Sequence, residues 1–248
     1  MTESYSDVVR RLAGAQKGAA RSAPAYSRFV NRKLGRLLAA AAYRRGLSPN
    51  MVTGVSALHT YAAIALLAIA PPSIWLGIVV AALLVLGYAW DSADGQVARL
   101  TESGSSAGEW LDHLVDSGKV VLLPLALMVG LYRAEAVDDV WLFVPLANAV
   151  VGSVMFFAMM LTEQLRRAHG VQSRAQTGGR FSWLRSVLVL PTDYGVLCLA
   201  FVLYGWTHVF MVVFTLITLG SLVFLALALP KWFRDVRALA QEPVRTPA

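Results

Sequence analysis

Long apolar blocks separated by short polar joints dominate the chain from residue 51 onward. Six stand out, at about 51–70, 74–90, 111–132, 140–161, 187–204 and 208–229. Each is near the ~20 residues that carry a helix across a ~30 Å hydrocarbon core. The pattern predicts an all-α integral membrane bundle of six transmembrane helices. Pro71 and Pro72 break the first pair, the polar stretch 133–139 separates the third block from the fourth, and residues 204–207 separate the last two. Ser48 followed by Pro49 predicts the start of the first span, with Ser48 as N-cap and Pro49 in the first turn, where its missing N–H is no loss.

Ahead of the spans the periodicity changes. Tyr26, Phe29, Val30, Leu34, Leu37, Leu38 and Ala41 recur at three- and four-residue spacing, while Arg28, Arg32 and Arg36 follow another stripe. This predicts an N-terminal amphipathic juxtamembrane helix over 26–46 that lies on an anionic membrane surface. A surface helix packed on its own protein would show the same period. Residues 1–25, rich in Ala, Ser, Arg and Gly, read as a flexible cytoplasmic tail with one helical turn around Val8 to Leu12, and 231–248 as a second cytoplasmic tail. The segment 48–230 holds the six-span domain between them. The first 50 residues contain no continuous apolar run, so a cleaved secretory leader is not expected.

Composition sharpens this picture. Hydrophobic residues make up 57% and charged residues 15% of the 248, against ~25% charged in ordinary soluble domains, which excludes a soluble globular class. The one cysteine, Cys198, forms no intrachain disulfide and supports no thiolate-rich zinc site. Basic residues outnumber acidic ones, 22 to 15, yet all except Lys119 and Arg133 fall before Asn50, at Arg99, between Arg166 and Arg185, or after Pro230. That distribution is a topology signal, and no nucleic-acid partner is expected. By the positive-inside rule both termini and the loops holding Arg99 and 166–185 are cytoplasmic.

The chemistry concentrates where the second and third spans meet their cytoplasmic loop. Asp91, Asp94, Gly95, Ala98 and Arg99 lie at i, i+3, i+4, i+7 and i+8, along one face of a helix. Gly108, Asp112 and Asp116 repeat at i, i+4 and i+8 on the next. Two helices joined by the short loop 100–107 would be antiparallel neighbours, so their four carboxylates can converge on one cavity. A lone Asp-Gly is usually a turn, and a single intramembrane acid is often only hydrogen-bonded. Four together raise one another's pKa and need a compensating cation, and acids at membrane depth are functional by default. Oxygen donors of this kind suit Mg²⁺ or Mn²⁺.

Asp91-x2-Asp94-Gly95-x2-Ala98-Arg99-x8-Gly108-x3-Asp112-x3-Asp116 matches every fixed position of the CDP-alcohol phosphotransferase signature. The chain resembles that family of integral membrane enzymes, also in its six-span layout, its amphipathic N-terminal helix and Ser48-Pro49-Asn50 before the first span. The resemblance implies transfer of a substituted phosphate from a CDP-linked alcohol to an acceptor hydroxyl, with release of CMP, in phospholipid biosynthesis at the cytoplasmic side of the cell membrane. It implies a metal site of Asp91, Asp94, Asp112 and Asp116 holding two Mg²⁺ or Mn²⁺ ions. Two metals can serve the attacking and leaving oxygens of such a displacement. It implies further that Asp116 is the general base and that Asp94, Gly95, Ala98, Arg99 and Gly108 bind CDP. Partners would be the CDP-linked donor, a lipid or polar alcohol acceptor, membrane lipids and a second copy in a homodimer.

Other residues carry weaker signals. Lys119, one turn beyond Asp116, either neutralises an Asp or contacts substrate. His113 follows Asp112 and so points about 100° round the helix; it either orients a carboxylate, contacts the acceptor or simply packs. Arg180 and Arg185, in the basic loop 166–185, are candidates for an anionic acceptor, although positive-inside loops are basic anyway. Asp193, beside Tyr194 in the fifth apolar block, faces the cavity or pairs with Arg185. The donor has two readings. CDP-diacylglycerol is favoured because a chain of six spans resembles the shorter phosphatidyltransferases, but Gly108-Glu109-x2-Asp112-His113 is similar to eukaryotic choline and ethanolamine phosphotransferases, which move a headgroup onto diacylglycerol. Readings of another class are an intramembrane prenyltransferase and a cation transporter using the Asp cluster.

Overall fold

The computed structural model describes residues 3–15, 24–171 and 190–239, and all regular structure among them is helical. In chain order the helices are α1 (Tyr5–Ala15), α2 (Arg32–Arg44), α3 (Pro49–Ile69), α4 (Ile74–Leu100), α5 (Ser106–Arg133), α6 (Phe143–Ala168), α7 (Tyr194–Ala200) and α8 (Thr207–Leu239). A π-helical turn, Ser27–Asn31, leads into α2, and a 3₁₀ turn, Asp139–Leu142, leads into α6.

Helix starts follow the local chemistry. Ser48 accepts a hydrogen bond from the Met51 N–H at 3.3 Å with Pro49 behind it, as expected. Ser73 and Ser105 cap α4 and α5 in the same way, from Leu76 N–H and Gly108 N–H, each at 3.1 Å.

Five helices are long and apolar enough to cross a membrane, by length and composition: α3, α4, α5, α6 with its leading turn, and α8. The expected sixth span differs. Its described part begins with a 3₁₀ turn at Leu190–Thr192, continues through the seven-residue α7 and closes with a second 3₁₀ turn at Phe201–Leu203. Pro191 and the helix-capping Asp193 interrupt the run, so apolar continuity there does not become one regular helix. Five spans of membrane length, rather than six, stand among the described residues.

The helices close into a ring in which α4 packs on α3, α3 on α5, α5 on α6, α6 on α8, and α7 bridges α8 and α4. The main core fills this ring with Leu67, Leu84, Leu123, Leu127, Phe201, Tyr204, Phe210 and Phe214, all essentially buried. Large apolar side chains such as Leu58, Trp75, Phe157, Leu216 and Leu227 face outward, the inverse of a soluble surface. Close approach of the helices depends on small residues. A Cβ on Gly130 of α5 would collide with the Leu67 carbonyl of α3, and one on Gly87 of α4 with Thr60 of α3.

The N-terminal region is more structured than a tail with one turn. Helix α1 spans eleven residues and buries Val8 and Leu12 in a second cluster with Ala39, Ala40 and Ala42 of α2, Val52 of α3, and Ala93 and Val97 of α4. Tyr5 donates to the Leu37 carbonyl at 3.0 Å. Helix α2 is buried along Gly35, Ala39, Ala40 and Ala42, whereas Phe29, Val30, Leu34 and Leu37 are exposed. Small residues therefore meet the protein and these four bulky ones face away from it, while Tyr26 rests on Gly195 and Leu38 packs against the second cluster.

Gly130→Ala should force α3 and α5 apart and lower the melting temperature of the detergent-solubilised protein, at a cost of roughly 1–3 kcal/mol for overpacking. Gly54→Ala is the contrast: no atom lies within 4 Å of its added Cβ, so stability should hold or rise by up to ~1 kcal/mol from helix propensity.

Candidate active site

Helices α4 and α5 are joined by a tight loop, yet they do not pack closely on each other, and each leans on α3 instead. The expectation of antiparallel neighbours is corrected accordingly. The loop turns at Glu102, whose φ of 54° is left-handed, and the Ser103 N–H returns to the Ala98 carbonyl at 3.1 Å, a helix ending that more often carries glycine. Between the two helices opens a cleft of about 510 Å³. Asp94, Gly95, Ala98 and Arg99 line it from α4, Gly108, Glu109 and Asp112 from α5, and Asn50 and Thr53 from α3.

Every residue predicted to bind CDP thus meets on one cleft. Gly95 and Ala98 keep the α4 wall low, and a side chain on Gly95 would enter the space, its Cβ 3.4 Å from the Arg99 guanidinium. A Cβ on Gly108 would stand 3.0 Å from Asn50 Oδ1, so glycine there lets α5 approach the start of α3. Arg99 is exposed at the rim and close enough to Asp94 and Arg32 to feel both charges.

Asp94 is fixed in place. The Thr53 hydroxyl donates to its Oδ2 at 2.7 Å and the Gly95 N–H to its Oδ1 at 2.5 Å. Asp91 and Asp116 lie beside the cleft, joined through Lys119: its ammonium is 3.0 Å from Asp91 Oδ1 and 2.5 Å from Asp116 Oδ1. Asp91 and Asp112 each feel the charges of the neighbouring acids, and both act on Asp94, which removing one positive charge from their midst would turn into uncompensated repulsion. Of the two roles open for Lys119, ion pairing is the one the geometry fills.

His113 is drawn in rather than turned away. Asp112, His113 and Asp116 offer ligand atoms that all lie within 4.8 Å of one another. The His113 Nε2 is 3.6 Å from Glu109 Oε1, and its buried Nδ1 has no hydrogen-bond partner. Two hard carboxylate donors and an imidazole converging with a spare buried lone pair fit a divalent cation.

Other candidates fall elsewhere. Asp193 caps α7, accepting from the Gly195 N–H at 3.1 Å, and accepts from the Tyr26 N–H at 2.6 Å. Both its oxygens are spent tying the N-terminal segment to α7. Arg180 and Arg185 lie outside the described residues. Earlier in the same basic loop, Arg167 pairs with Glu109 and Glu163, and Arg166 lies 3.8 Å from Asp235, so these arginines join α5, α6 and α8.

A family model described as CDP-alcohol phosphatidyltransferase matches residues 47–229. The chain belongs to that family. It is therefore a transferase of substituted phosphate groups, from a family of membrane enzymes typical of phospholipid biosynthesis, acting on CDP-alcohol donors and alcohol acceptors with a divalent metal. The transporter and prenyltransferase readings fall away with this membership. A comparison with curated proteins finds no match.

Several contributors escape a reading that looks only for acids. Thr53, Ser56 and Thr60 form a buried polar seam on α3 at i, i+3 and i+7, and Ser56 donates to the Gly87 carbonyl at 2.8 Å. Their regular spacing inside an apolar span is the signal that identifies them. Tyr61 lies on the same helix and donates to the Val115 carbonyl at 3.1 Å, against Gly118. Thr53→Val keeps the volume but releases Asp94. It should lower kcat/KM for CMP release about 10- to 100-fold, the ~1.5–3 kcal/mol of a hydrogen bond to a charged group. Thr53→Ser should retain most of the activity.

Proposed function

We propose that the enzyme moves a phosphatidyl group from CDP-diacylglycerol to the hydroxyl of a small polar alcohol, releasing CMP, at the cytoplasmic face of the membrane. The observation that carries this reading is the cleft itself. Its walls bring the glycines, Ala98, Arg99, Asp94 and Asp112 together around one space of nucleotide size, with Asp116 beside it.

In this reading Gly95, Ala98 and Gly108 admit the nucleotide, and Arg99 holds a phosphate through paired hydrogen bonds. Asp91, Asp94, Asp112 and Asp116, with His113 beside them, would hold Mg²⁺ or Mn²⁺. When bound, the divalent ion neutralises pyrophosphate charge and polarises the attacked phosphorus. The acceptor oxygen forms the new P–O bond as the bond to the CMP phosphate breaks. Asp116 takes the hydroxyl proton on its Oδ2, since Oδ1 faces Lys119.

Supporting the placement, the basic residues cluster at the ends of the helices that carry the cleft, which makes that end cytoplasmic. The exposed stripe Phe29, Val30, Leu34 and Leu37 lies in the lipid interface with the Arg28, Arg32 and Arg36 stripe toward headgroups. Residues 190–203 belong to a sixth crossing, because Asp193 is bonded at the level of Tyr26 while Gly205 abuts Ile74 at the other end.

One observation favours a second reading of the base. The unpartnered Nδ1 of His113, with Nε2 toward Glu109, offers a second proton acceptor beside a carboxylate that is ion-paired with an ammonium. The alternative donors, CDP-choline or CDP-ethanolamine with diacylglycerol as acceptor, rest on the likeness of Gly108-Glu109-x2-Asp112-His113 to the choline and ethanolamine phosphotransferases.

Purified protein with Mg²⁺ should release CMP from CDP-diacylglycerol when offered small polyols. Asp116→Asn should slow this by about 10²–10⁴-fold, the usual contribution of a general base, with the protein still folded. Retained turnover would move the base to His113, and His113→Gln should then abolish it. Asp138→Asn serves as control: that exposed residue precedes the 3₁₀ turn at the far end of the bundle, and its loss should change the rate less than twofold. CMP release from CDP-choline alone would select the headgroup branch.

A further inference from the structure

Lys119 lies behind the acids, seen from the cleft. Its side chain is only 7% exposed, and its ammonium is 3.0 Å from Asp91 Oδ1 on α4 and 2.5 Å from Asp116 Oδ1 on α5. Asp116 Oδ1 is itself buried although 25% of that side chain is exposed, so the exposed part lies on the Oδ2 side. Asp94 and Asp112 line the cleft and the lysine does not. The other side of its charge meets the Tyr194 ring, 5.3 Å from the centre.

The ammonium thus takes one oxygen of each of these two acids and leaves the rest of the set open. Asp91 and Asp116 keep Oδ2, each Asp94 oxygen keeps a lone pair beside its single hydrogen bond from Thr53 or Gly95, and Asp112 faces the cleft. The four acids can therefore hold both divalent ions that the family resemblance implies, with the lysine outside the ligand set. Two effects of its charge then oppose each other. Anchoring ligating carboxylates from outside is worth about 10- to 100-fold in metal affinity. Repulsion works the other way: at ~4 Å and the effective dielectric of a protein site, one unit charge changes the binding of another about 10³-fold, and that of a divalent ion by more. Repulsion is the larger. We propose that Lys119 sets the affinity of the metal site, holding Asp91 and Asp116 in place before a metal arrives and weakening the binding of divalent ions once they do. It is a positioning residue, since it touches the ligands and not the substrate.

This inference rests on the metal-dependent reading above, and the strength of Mn²⁺ binding separates the two. Mn²⁺ is titrated into detergent-solubilised enzyme without nucleotide, with the free ion followed by electron paramagnetic resonance. Lys119→Met should bind as many ions as the wild type, at least ~10-fold more tightly, whereas Lys119→Arg, which keeps the charge, should stay within about threefold of it. A variant that had merely lost packing would bind metal more weakly, so tightening is the signature of the charge. Without metal, Lys119→Met should melt below the wild type, and Mn²⁺ should raise its melting temperature by more. Unchanged or weaker affinity in a folded Lys119→Met would overturn the proposal and leave the metal-dependent reaction standing. If Lys119→Met does not fold alone, it is combined with Asp91→Asn, which removes one of the acids it leaves uncompensated. The double variant should then bind Mn²⁺ more tightly than Asp91→Asn by itself, and equal or weaker binding would overturn the proposal. Absence of Mn²⁺ binding in every variant, wild type included, would overturn the metal reading and this inference with it.

Discussion

Four carboxylates held at the end of a membrane bundle are the constraint around which the rest of this structure is organised. Bare, they would repel one another in a poorly hydrated setting, where an unpaired ion costs several kcal/mol. The protein answers in two ways. It keeps α4 and α5 apart, so that the acids face a polar gap, and it places Lys119 within that gap, ion-paired with an acid from each side. Separation of the helices and compensation of the charges are one arrangement, since a lysine could not fit between helices in ridge-to-groove contact.

Helix α3 makes the separation possible. It packs on both α4 and α5, and its two sides differ according to what they meet. Toward α4 it presents the seam of Thr53, Ser56 and Thr60, which lets Gly87 come close and holds Asp94. Toward α5 it presents Tyr61 and the Leu67 carbonyl, which rest on Gly118 and Gly130. In a bilayer, where apolar burial between helices gains little, such small-residue contacts and hydrogen bonds are the available adhesive. The positions of the four acids thus depend on glycines and hydroxyls far less conspicuous than the acids.

The elements outside the spans brace the same end of the bundle. Val8 and Leu12 of α1 and the alanines of α2 are buried with Ala93 and Val97, the side of α4 opposite the cleft, while Asp193 ties the start of the π-turn to α7. On the other flank, Glu109, Arg167, Arg166 and Asp235 link α5, α6 and α8. Tyr194 joins these supports to the site, because it lies edge-on to Tyr88 and presents its face to Lys119. A site that receives a charged CDP-linked donor gains from such bracing, since positioning supplies much of the catalysis in phosphoryl transfer.

What the sequence determined by itself was whatever depends on local periodicity. Apolar run length marks membrane helices, Ser48-Pro49 marks where α3 begins, and fixed spacings set Asp91 to Arg99 on one helix face and Gly108 to Asp116 on another. The family follows from those residues because the chemistry needs them at those intervals. Tertiary structure decided what local rules leave open. Whether α4 and α5 touch depends on a third helix, and which acids Lys119 reaches depends on the gap this leaves. Helical angle alone turned His113 away from Asp112, but a rotatable side chain brings its ring back to the carboxylates. Asp193 read as an acid facing the cavity or pairing with Arg185, whereas its two oxygens accept from the Tyr26 and Gly195 amides, the first far away in sequence. The fifth apolar block had the length of a span, but Pro191 and the Asp193 cap divide it, because backbone hydrogen bonding overrides hydropathy where the two conflict.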